Sequence, residues 1–287
     1  MTLDEYAKPI HKLPVNLIDT DHVLKCVQPI WKEKNSTASR VRSRIEAVLS
    51  FAAVKKYRSG VNPAGWRGHL DHLLAKPSKV APTENFAAMD YREMPAFMAE
   101  LRGRKVTMSN LALEFLILTC ARTDEVLKAT WAEIDLEESF WSVPGDRMKA
   151  GKDHDVPLSA RAVAILKAAR EISSKIGGKV GAADYLFSGR SGAHLSSNAL
   201  LALLKRRLGR AETIHGFRAT FKTWASEETN FPNELSEMAL AHTVGNKVEQ
   251  AYRRGTGFKK RIALADAWAS YCSKPRSGGK VVAFKRG

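Results

Sequence analysis

Side chains that suit phosphodiester chemistry recur across the last three fifths of the chain. In chain order they are Arg122, Lys149, His215, Arg218, His242 and Tyr252. A phenol has a pKa of about 10, so ionising it at neutral pH costs about 4 kcal/mol. It becomes a useful nucleophile only beside a proton acceptor and strong positive charge. Because the set contains both, it predicts attack of a tyrosine on a DNA phosphodiester without a metal ion.

The densest part of this set is His215-Gly-Phe-Arg218. Residues three apart share one face of a helix. The pair therefore joins a group that moves protons near pH 7 to a planar cation that fits two phosphate oxygens. Alone, such a pair is common, and a surface ion pair or a helix cap explains most examples. The role of His242 is equally open, because it could hydrogen-bond a phosphate oxygen or cap the end of a helix.

The remaining cations precede this pair in the chain. Arg122 lies where a buried helix meets an acid-capped one, and two arginines on one phosphate would neutralise transition-state charge. A salt bridge from Arg122 to Asp124 or Glu125 is the competing interpretation. Lys149 lies near the tip of a predicted hairpin and could protonate the leaving oxygen. Lys152 is its rival on the same turn, and either lysine taken singly fits a solvated side chain.

Charge points to a polyanionic partner. The 287 residues carry a net charge of +16, and nucleic acid fits this better than a membrane. The longest apolar run, residues 111–120, contains Glu114 and is too short to span a bilayer.

A helix from about residue 36 to 56 carries its apolar residues at helical spacing, with Arg40, Arg42 and Arg44 mostly on the other face. We expect these arginines to face DNA, although a solvated helix surface is the alternative.

Composition predicts a cytosolic protein without a metal or cofactor. Cys26, Cys120 and Cys272 are scattered, which is typical of reduced thiols. The pair His69-Leu-Asp-His72 has half of a metal-site spacing and no second pair nearby. No phosphate-binding glycine loop occurs, and the amino-terminal residues lack the pattern of a secretory signal.

The pattern along the chain predicts a mainly α fold with a small β-sheet, an α+β class, in two domains. Residues 1–82 read as helical, and residues 76–85 suit a linker. Residues 86–272 read as a mixed domain, with short strands at 140–143 and 155–158 around the Lys149 turn and another at 185–187. Residues 273–287 are basic without an acid and predict a flexible tail.

Five segments together resemble the catalytic boxes of tyrosine recombinases, and most closely those of phage and genomic-island integrases. They are Thr119-Cys-Ala-Arg122-Thr-Asp-Glu-Val126, Met148-Lys149-Ala-Gly-Lys-Asp-His-Asp-Val-Pro-Leu158, His215-Gly-Phe-Arg218, Leu240-Ala-His242 and Ala251-Tyr252-Arg-Arg. Their order and spacing fit the family over most of residues 20–272. Integrases of this type usually carry a further amino-terminal domain that grips arm-type sites, and we expect this chain to lack it.

The resemblance implies a role for each box. Arg122 and Arg218 would clamp the scissile phosphate, and Lys149 would protonate the leaving 5′-hydroxyl. His215 would assist proton transfer at the nucleophile, and His242 would hold a phosphate oxygen. Tyr252 would form a 3′-phosphotyrosyl bond. The family uses no metal or nucleotide cofactor.

The resemblance also implies architecture and partners. Residues 1–82 would bind core-type DNA, and residues 86–272 would be the catalytic domain. Together they would close around double-stranded DNA at attachment sites, as a monomer when free and as a homotetramer on two duplexes. A host DNA-bending protein, an excision factor and a cytoplasmic, nucleoid-associated location in a bacterium are further expectations. The last predicted helix would pack on a neighbouring protomer or on its own core, through Ile262, Leu264, Trp268 and Tyr271.

Other function classes remain at this point. A degenerate integrase would bind DNA as a repressor or accessory factor without cutting it, although competent residues at all the catalytic positions argue against decay. A type IB topoisomerase also uses an attacking tyrosine, but the Leu-Ala-His242 box and the two-domain layout favour a recombinase. An RNA-binding protein is the weakest alternative, because no aromatic-rich recognition strand occurs.

Overall fold

The structure is a computed structural model that describes residues 2–80, 87–189, 191–243, 255 and 257–274. The chain forms two compact units, Met1–Asn85 and Phe86–Gly287. Within the described residues the fold is mainly helical with one three-stranded sheet, as the sequence predicts.

Helices build the first unit. They are α1 (Thr2–Tyr6), α2 (Thr20–Trp31), α3 (Asn35–Val54) and α4 (Pro77–Val80), with 3₁₀ turns at Lys8–Ile10 and Leu70–His72. The cap of α2 is Asp19, whose Oδ1 accepts a hydrogen bond from the His22 amide at 2.9 Å. Pro29 lies inside α2 and does not end it.

The core of the first unit lies between α2 and α3. Val23, Val27, Val41 and Ile45 are among its buried members. Trp31, at the end of α2, stacks on Trp66 with ring centroids 5.6 Å apart, and its Nε1 donates to Ala75 O at 2.9 Å. These contacts tie the segment after α3 to the helix pair. The start of the predicted linker is the short helix α4, whose Val80 packs on this core.

The second unit surrounds one central helix. Its helices are α5 (Met94–Arg102), α6 (Met108–Thr119), α7 (Thr123–Leu127), α8 (Ala160–Gly177), α9 (Ser197–Ala202), α10 (Gly216–Glu227), α11 (Asn233–Ala239) and α12 (Phe258–Tyr271). Short 3₁₀ turns occupy Tyr91–Glu93, Trp131–Glu133 and Gly145–Arg147, and a π-helical turn at Leu203–Arg207 follows α9.

The predicted apolar run forms the central helix α6. Thr107 caps it by accepting the Asn110 amide, and every residue from Asn110 to Thr119 is buried. It packs against α5, α7, α8, α9 and α12. The helix ends at Cys120, which adopts a left-handed conformation with φ 54°. The end of α6 therefore lies inside the unit, and its last carbonyl groups need buried partners.

The sheet is antiparallel, with strands β1 (Ile134–Asp135), β2 (Phe140–Val143) and β3 (His154–Pro157) in that order. Val143 pairs with His154 and Trp141 with Val156, which confirms the hairpin predicted around the Lys149 turn. Trp141 and Val143 point into the core and are fully buried. The third predicted strand was wrong, because Tyr185 makes only an isolated bridge to Thr130.

Helix α12 packs on the core of its own unit. Leu264 and Trp268 are buried there, and Trp268 Nε1 donates to Ile117 O at 2.9 Å. Tyr271 stacks on Trp268 with ring centroids 5.9 Å apart, whereas Ile262 stays 39% exposed. Of the two alternatives for this helix, self-packing therefore describes Leu264, Trp268 and Tyr271.

Candidate active site

Arg218 lies where the ends of two helices meet. It projects from α10, is buried, and donates through Nη1 to Cys120 O at the end of α6. Its Nη2 donates to Leu240 O, just beyond α11, at 2.5 Å. Carbonyl groups at helix C-termini carry partial negative charge and favour a cation. In the described residues its direct partners are these carbonyls and His242, while Glu125 and Glu237 favour its charge without forming an ion pair with it.

Arg122 lies beside Arg218 and is held by Glu125. One Glu125 oxygen accepts the Arg122 amide and the other accepts Nη1, both at 2.7 Å. Nη2 of Arg122 lies 3.4 Å from Ala241 O, the carbonyl that follows the Arg218 acceptor. The two guanidinium groups therefore contact consecutive carbonyl groups, and the salt bridge expected as a competing interpretation is present as well.

His242 is held by a carboxylate that also binds a lysine. Its Nδ1 lies 2.7 Å from Glu237 Oε2, and Lys222 Nζ lies 2.6 Å from Glu237 Oε1. Burial opposes ionisation of Glu237, but hydrogen bonds from Lys222 and His242 hold its pKa below the usual value. The carboxylate is therefore charged at neutral pH. Because Nδ1 faces it, Nε2 is turned towards Arg218 Nη2, 3.3 Å away.

His215 precedes α10 and lies within reach of the same charges. Partial burial of its ring lowers its pKa below 6.5, and the positive charges of Arg218 and Arg122 lower it further. The imidazole is therefore neutral at pH 7 and able to accept a proton. Burial and the nearby Arg122 also lower the pKa of Arg218, but a guanidinium stays charged in proteins.

A close backbone contact fixes the start of α10. A Cβ on Gly216 would lie 2.2 Å from Ala87 O, so only glycine fits between His215 and Phe217. The Thr213 amide donates to the same Ala87 carbonyl at 2.9 Å, and Thr220 Oγ1 donates to Met89 O at 2.7 Å. The segment at residues 87–89 thus runs along α10 and sets the position of His215 and Arg218.

Lys149 and Lys152 are exposed on the turn between β2 and β3. Neither side chain makes a hydrogen bond or ion pair with any residue in the described part of the chain. Arg147, two residues before Lys149, donates to Glu125 O at 3.1 Å and also binds Glu133. The lysine turn is therefore attached to the helix that begins after Arg122.

The predicted nucleophile, Tyr252, lies outside the described residues, as does the predicted tail from residue 275 onwards. The structure thus brings together Arg122, His215, Arg218 and His242 and ties the Lys149 turn to them.

In the first unit, Arg40 and Arg44 are exposed on α3, and Arg44 Nη1 donates to Thr2 Oγ1 at 2.8 Å. Arg42 is engaged internally: it donates to Glu46 at 2.6 Å and to Ala64 O at 2.7 Å, and its side chain is 12% exposed. Its guanidinium also lies 5.9 Å from the Trp66 ring. This arginine holds the unit together, which the position of its charge in the helix pattern did not indicate.

Sequence reasoning missed the residues that hold the site: Glu237, Lys222 and Arg147. Lys222 is four residues after Arg218, so both side chains project from the same face of α10. This spacing could have placed Lys222 near the site. Glu237 is only five residues before His242, but its contact with Lys222 on α10 has no local pattern, and neither do the contacts of Arg147 with other elements.

No three His, Cys, Asp or Glu side chains of the described residues come together as ligands for a metal ion. Among the described helices, none has the length and apolar composition that crossing a bilayer requires.

Comparison with known sequences gives a consistent result for both units. The phage integrase family matches residues 87–256, and the phage integrase central domain matches residues 1–69. The chain is 30% identical to prophage integrase IntA of Escherichia coli (strain K12), over 95% of this chain and 63% of that relative. It is 26% identical to the integrase of Enterobacteria phage P4, over 96% of this chain and 64% of that relative. The chain thus spans less than two thirds of the length of either relative.

Solved structures show the same fold. Residues 75–356 of lambda integrase, solved as a dimer bound to a COC′ core site, match with a TM-score of 0.61 and 14% identity, over 88% of this chain and 87% of that one. The Tn1549 transposon integrase in complex with transposon right end DNA matches with a TM-score of 0.62 and 15% identity, over 88% of this chain and 86% of that one.

Proposed function

The chain belongs to the phage integrase family of tyrosine recombinases, and we propose that it is a site-specific DNA recombinase that integrates or excises a mobile element. The observation that carries this proposal is the pair of adjacent guanidinium groups of Arg122 and Arg218, with His215 and His242 beside them. Adjacent like charges are unfavourable without an anion between them. A DNA phosphate supplies that anion.

The two arginines clamp the scissile phosphate. An arginine has five N–H donors, and the Arg122 side chain directs two of its nitrogens at Glu125 and Ala241, which leaves further donors for phosphate oxygens. Their charge stabilises the additional negative charge on the nonbridging oxygens as the phosphorus becomes five-coordinate. Donors fixed in this way commonly contribute about 10²–10³ in rate each.

Tyr252 is the nucleophile, and the neutral His215 assists removal of its proton. The phenol oxygen attacks phosphorus, its proton passes towards His215 Nε2 or Nδ1, and a 3′-phosphotyrosyl ester forms as the bond to the 5′ oxygen breaks. Lys149 gives a proton to that leaving oxygen. His242 Nε2 binds a nonbridging oxygen. Attack of a 5′-hydroxyl from another strand reverses each step and rejoins the DNA, so no external energy source is consumed.

The two units divide the work on DNA. Residues 1–82 bind the core-type site through Arg40 and Arg44, and residues 86–272 cut it, with Lys152 on the backbone near the cleavage point. The net charge of +16 supports this partner. The action on DNA places the protein in the bacterial cytoplasm, at the nucleoid.

Strand exchange needs more than one protomer. A lambda integrase has been solved as a tetramer bound to a Holliday junction. We extend this assembly to the present chain: a monomer when free, and four protomers on two attachment-site duplexes. A host DNA-bending protein and an excision factor complete the reaction and choose its direction.

Strand exchange between duplexes tests this proposal. Two labelled fragments of different length, both from the protein's own attachment region, should yield recombinant lengths. Arg122→Gln should lower this rate by about 10²–10³. Arg104→Gln, which removes an exposed arginine paired with Glu100 on α5, is the matched control and should recombine normally.

Two other results would replace the proposal. Relaxation of supercoiled plasmid without exchange would indicate topoisomerase chemistry. Tight binding with no cut strand would indicate an accessory DNA-binding protein.

A further inference from the structure

The turn that carries Lys149 is closed by hydrogen bonds among its own residues. Gly145 N donates to Asp153 Oδ1 at 2.7 Å, and the Met148 and Gly151 amides donate within the turn at 3.0 Å each. Gly151 has φ +66°, which favours glycine. These contacts shape the turn, but they do not fix where it lies relative to the arginines.

Arg147 makes the contacts that fix this position. Its side chain is 19% exposed, its Nη2 binds Glu133 Oε2, and its Nη1 donates to Glu125 O at 3.1 Å. One side chain of the turn therefore bridges two elements outside it, the 3₁₀ turn before β1 and helix α7.

Glu133 is a rigid partner for this arginine. Its Oε1 accepts both the amide and the hydroxyl of Thr130 at 3.0 Å, and its Oε2 accepts Trp141 Nε1 at 2.9 Å. Trp141 is fully buried at the centre of the sheet. A carboxylate with these partners has one orientation, so it holds Arg147 in one place.

Glu125 connects this arrangement to the phosphate clamp. Its carboxylate binds the Arg122 amide and guanidinium at 2.7 Å, while its carbonyl accepts Arg147. Glu125 therefore contacts both the side chain of Arg122 and, through Arg147, the turn of Lys149.

We propose that Arg147 is a positioning residue for the leaving-group acid. It holds the β2–β3 turn against α7, so that Lys149 meets the 5′ oxygen of the phosphate that Arg122 binds. The inference rests on the proposed recombinase function and adds to it a residue that does not touch DNA. Proton transfer depends steeply on such placement, because the donor must come within hydrogen-bond distance of the oxygen.

A pair of DNA substrates separates this role from a general structural one. In the first, the leaving atom is the natural 5′ oxygen, which needs a proton. In the second it is a 5′-bridging sulfur, which leaves as a thiolate and needs none. Arg147→Met should slow single-turnover cleavage of the oxygen substrate by about 10²-fold, the low end of the contribution of general acids. Cleavage of the sulfur substrate should change by less than about threefold, because the acid contributes nothing to that step.

Further variants distinguish loss of the positioning contact from misfolding. Glu133→Gln keeps the size of the side chain and removes the charge that holds Arg147, and it should show the same preference for the sulfur substrate. Arg104→Met is the matched control, since Arg104 pairs with Glu100 on α5, and should cleave both substrates at the parental rate. Combined with Lys149→Ala, Arg147→Met should slow the oxygen substrate no further, because both changes remove one proton transfer.

The outcomes are distinct. Equal slowing of both substrates in both folded variants would overturn the positioning role and leave a structural one. A parental rate for both variants on the oxygen substrate would overturn it as well. Failure of the parent protein to form a covalent product on either substrate would overturn the proposed function itself, and this inference with it.

Discussion

At the scale of single residues, the geometry of Glu125 shows that a salt bridge does not occupy every donor of Arg122. Its carboxylate orients Arg122 at 2.7 Å from two directions, and the guanidinium keeps further donors for a ligand. The salt bridge and the phosphate clamp therefore do not compete. Sequence reasoning treated them as alternatives because it could identify the partner but not the geometry.

The protonation state of His215 is the first prediction. Partial burial and the charges of Arg218 and Arg122 lower its pKa, so its imidazole should titrate with a midpoint below 6.5. NMR of histidine-labelled protein would measure this, with His215→Gln to assign the signal. Arg122→Gln removes one of the cations and should raise the midpoint. A midpoint at 6.5 or above in the parent would contradict the assignment of His215 as a neutral proton acceptor.

The second prediction concerns Glu237, whose carboxylate contacts His242 Nδ1. Glu237→Gln removes the negative charge next to Nδ1 and weakens the contact that turns Nε2 of His242 towards Arg218. We expect DNA cleavage to slow roughly tenfold, about the worth of one well-placed hydrogen bond to a phosphate oxygen, with unchanged DNA affinity. Glu171→Gln, which changes an exposed carboxylate paired with Lys175 on α8, is the matched control. Cleavage at the parental rate in Glu237→Gln would remove this residue from the site.

At the scale of elements, the contact at Gly216 gives the third prediction. Gly216→Ala places a Cβ 2.2 Å from a backbone oxygen, so either α10 or the segment at residues 87–88 must move. Overpacking of this kind costs about 1–3 kcal/mol, which chemical denaturation would measure. Gly177→Ala, at the end of α8, meets nothing within 4 Å and should be neutral or slightly stabilising. Equal stability of Gly216→Ala and the parent would refute the close contact.

The elements themselves were largely predictable. The apolar run before Cys120 indicated the buried helix α6, and alternating residues on either side of the Lys149 turn indicated a hairpin. The predicted strand at residues 185–187 failed because its single bridge, to Thr130, is not extended by neighbouring pairs. Pro29 lies inside α2, and the helix continues past it to Trp31, whose ring stacks on Trp66.

At the scale of the whole molecule, net charge gives the fourth prediction. With roughly 6–10 phosphate contacts, DNA affinity should fall by about 10³–10⁵ between 50 and 200 mM salt. Arg40→Gln should weaken binding and lower the slope of log affinity against log salt by about one. Arg42→Gln should leave that slope unchanged and lower stability, because Arg42 binds Glu46 and Ala64 O. If both variants changed the slope equally, the exposure of an arginine on α3 would not determine whether it contacts DNA.

Residue types and spacing predicted the candidate site residues, but they did not predict the network that supports these residues. Arg218 joins Cys120 and Leu240, and Arg122 meets Ala241, across as many as 119 positions. Such contacts depend on how α6, α10 and α11 pack. Periodicity describes only the nearest turns of each helix, so it identifies the arginines and cannot find their acceptors.

Detection of a covalent protein–DNA product tests the central claim most directly. The protein would be mixed with end-labelled attachment-site DNA, nicked so that the cleaved strand diffuses away, and separated on a denaturing gel. Tyrosine strand transfer predicts a labelled, protease-sensitive adduct through Tyr252, absent in Tyr252→Phe although this variant binds DNA nearly as well as the parent. An adduct that survives in Tyr252→Phe, or tight binding by the parent with no adduct at all, would contradict tyrosine strand transfer.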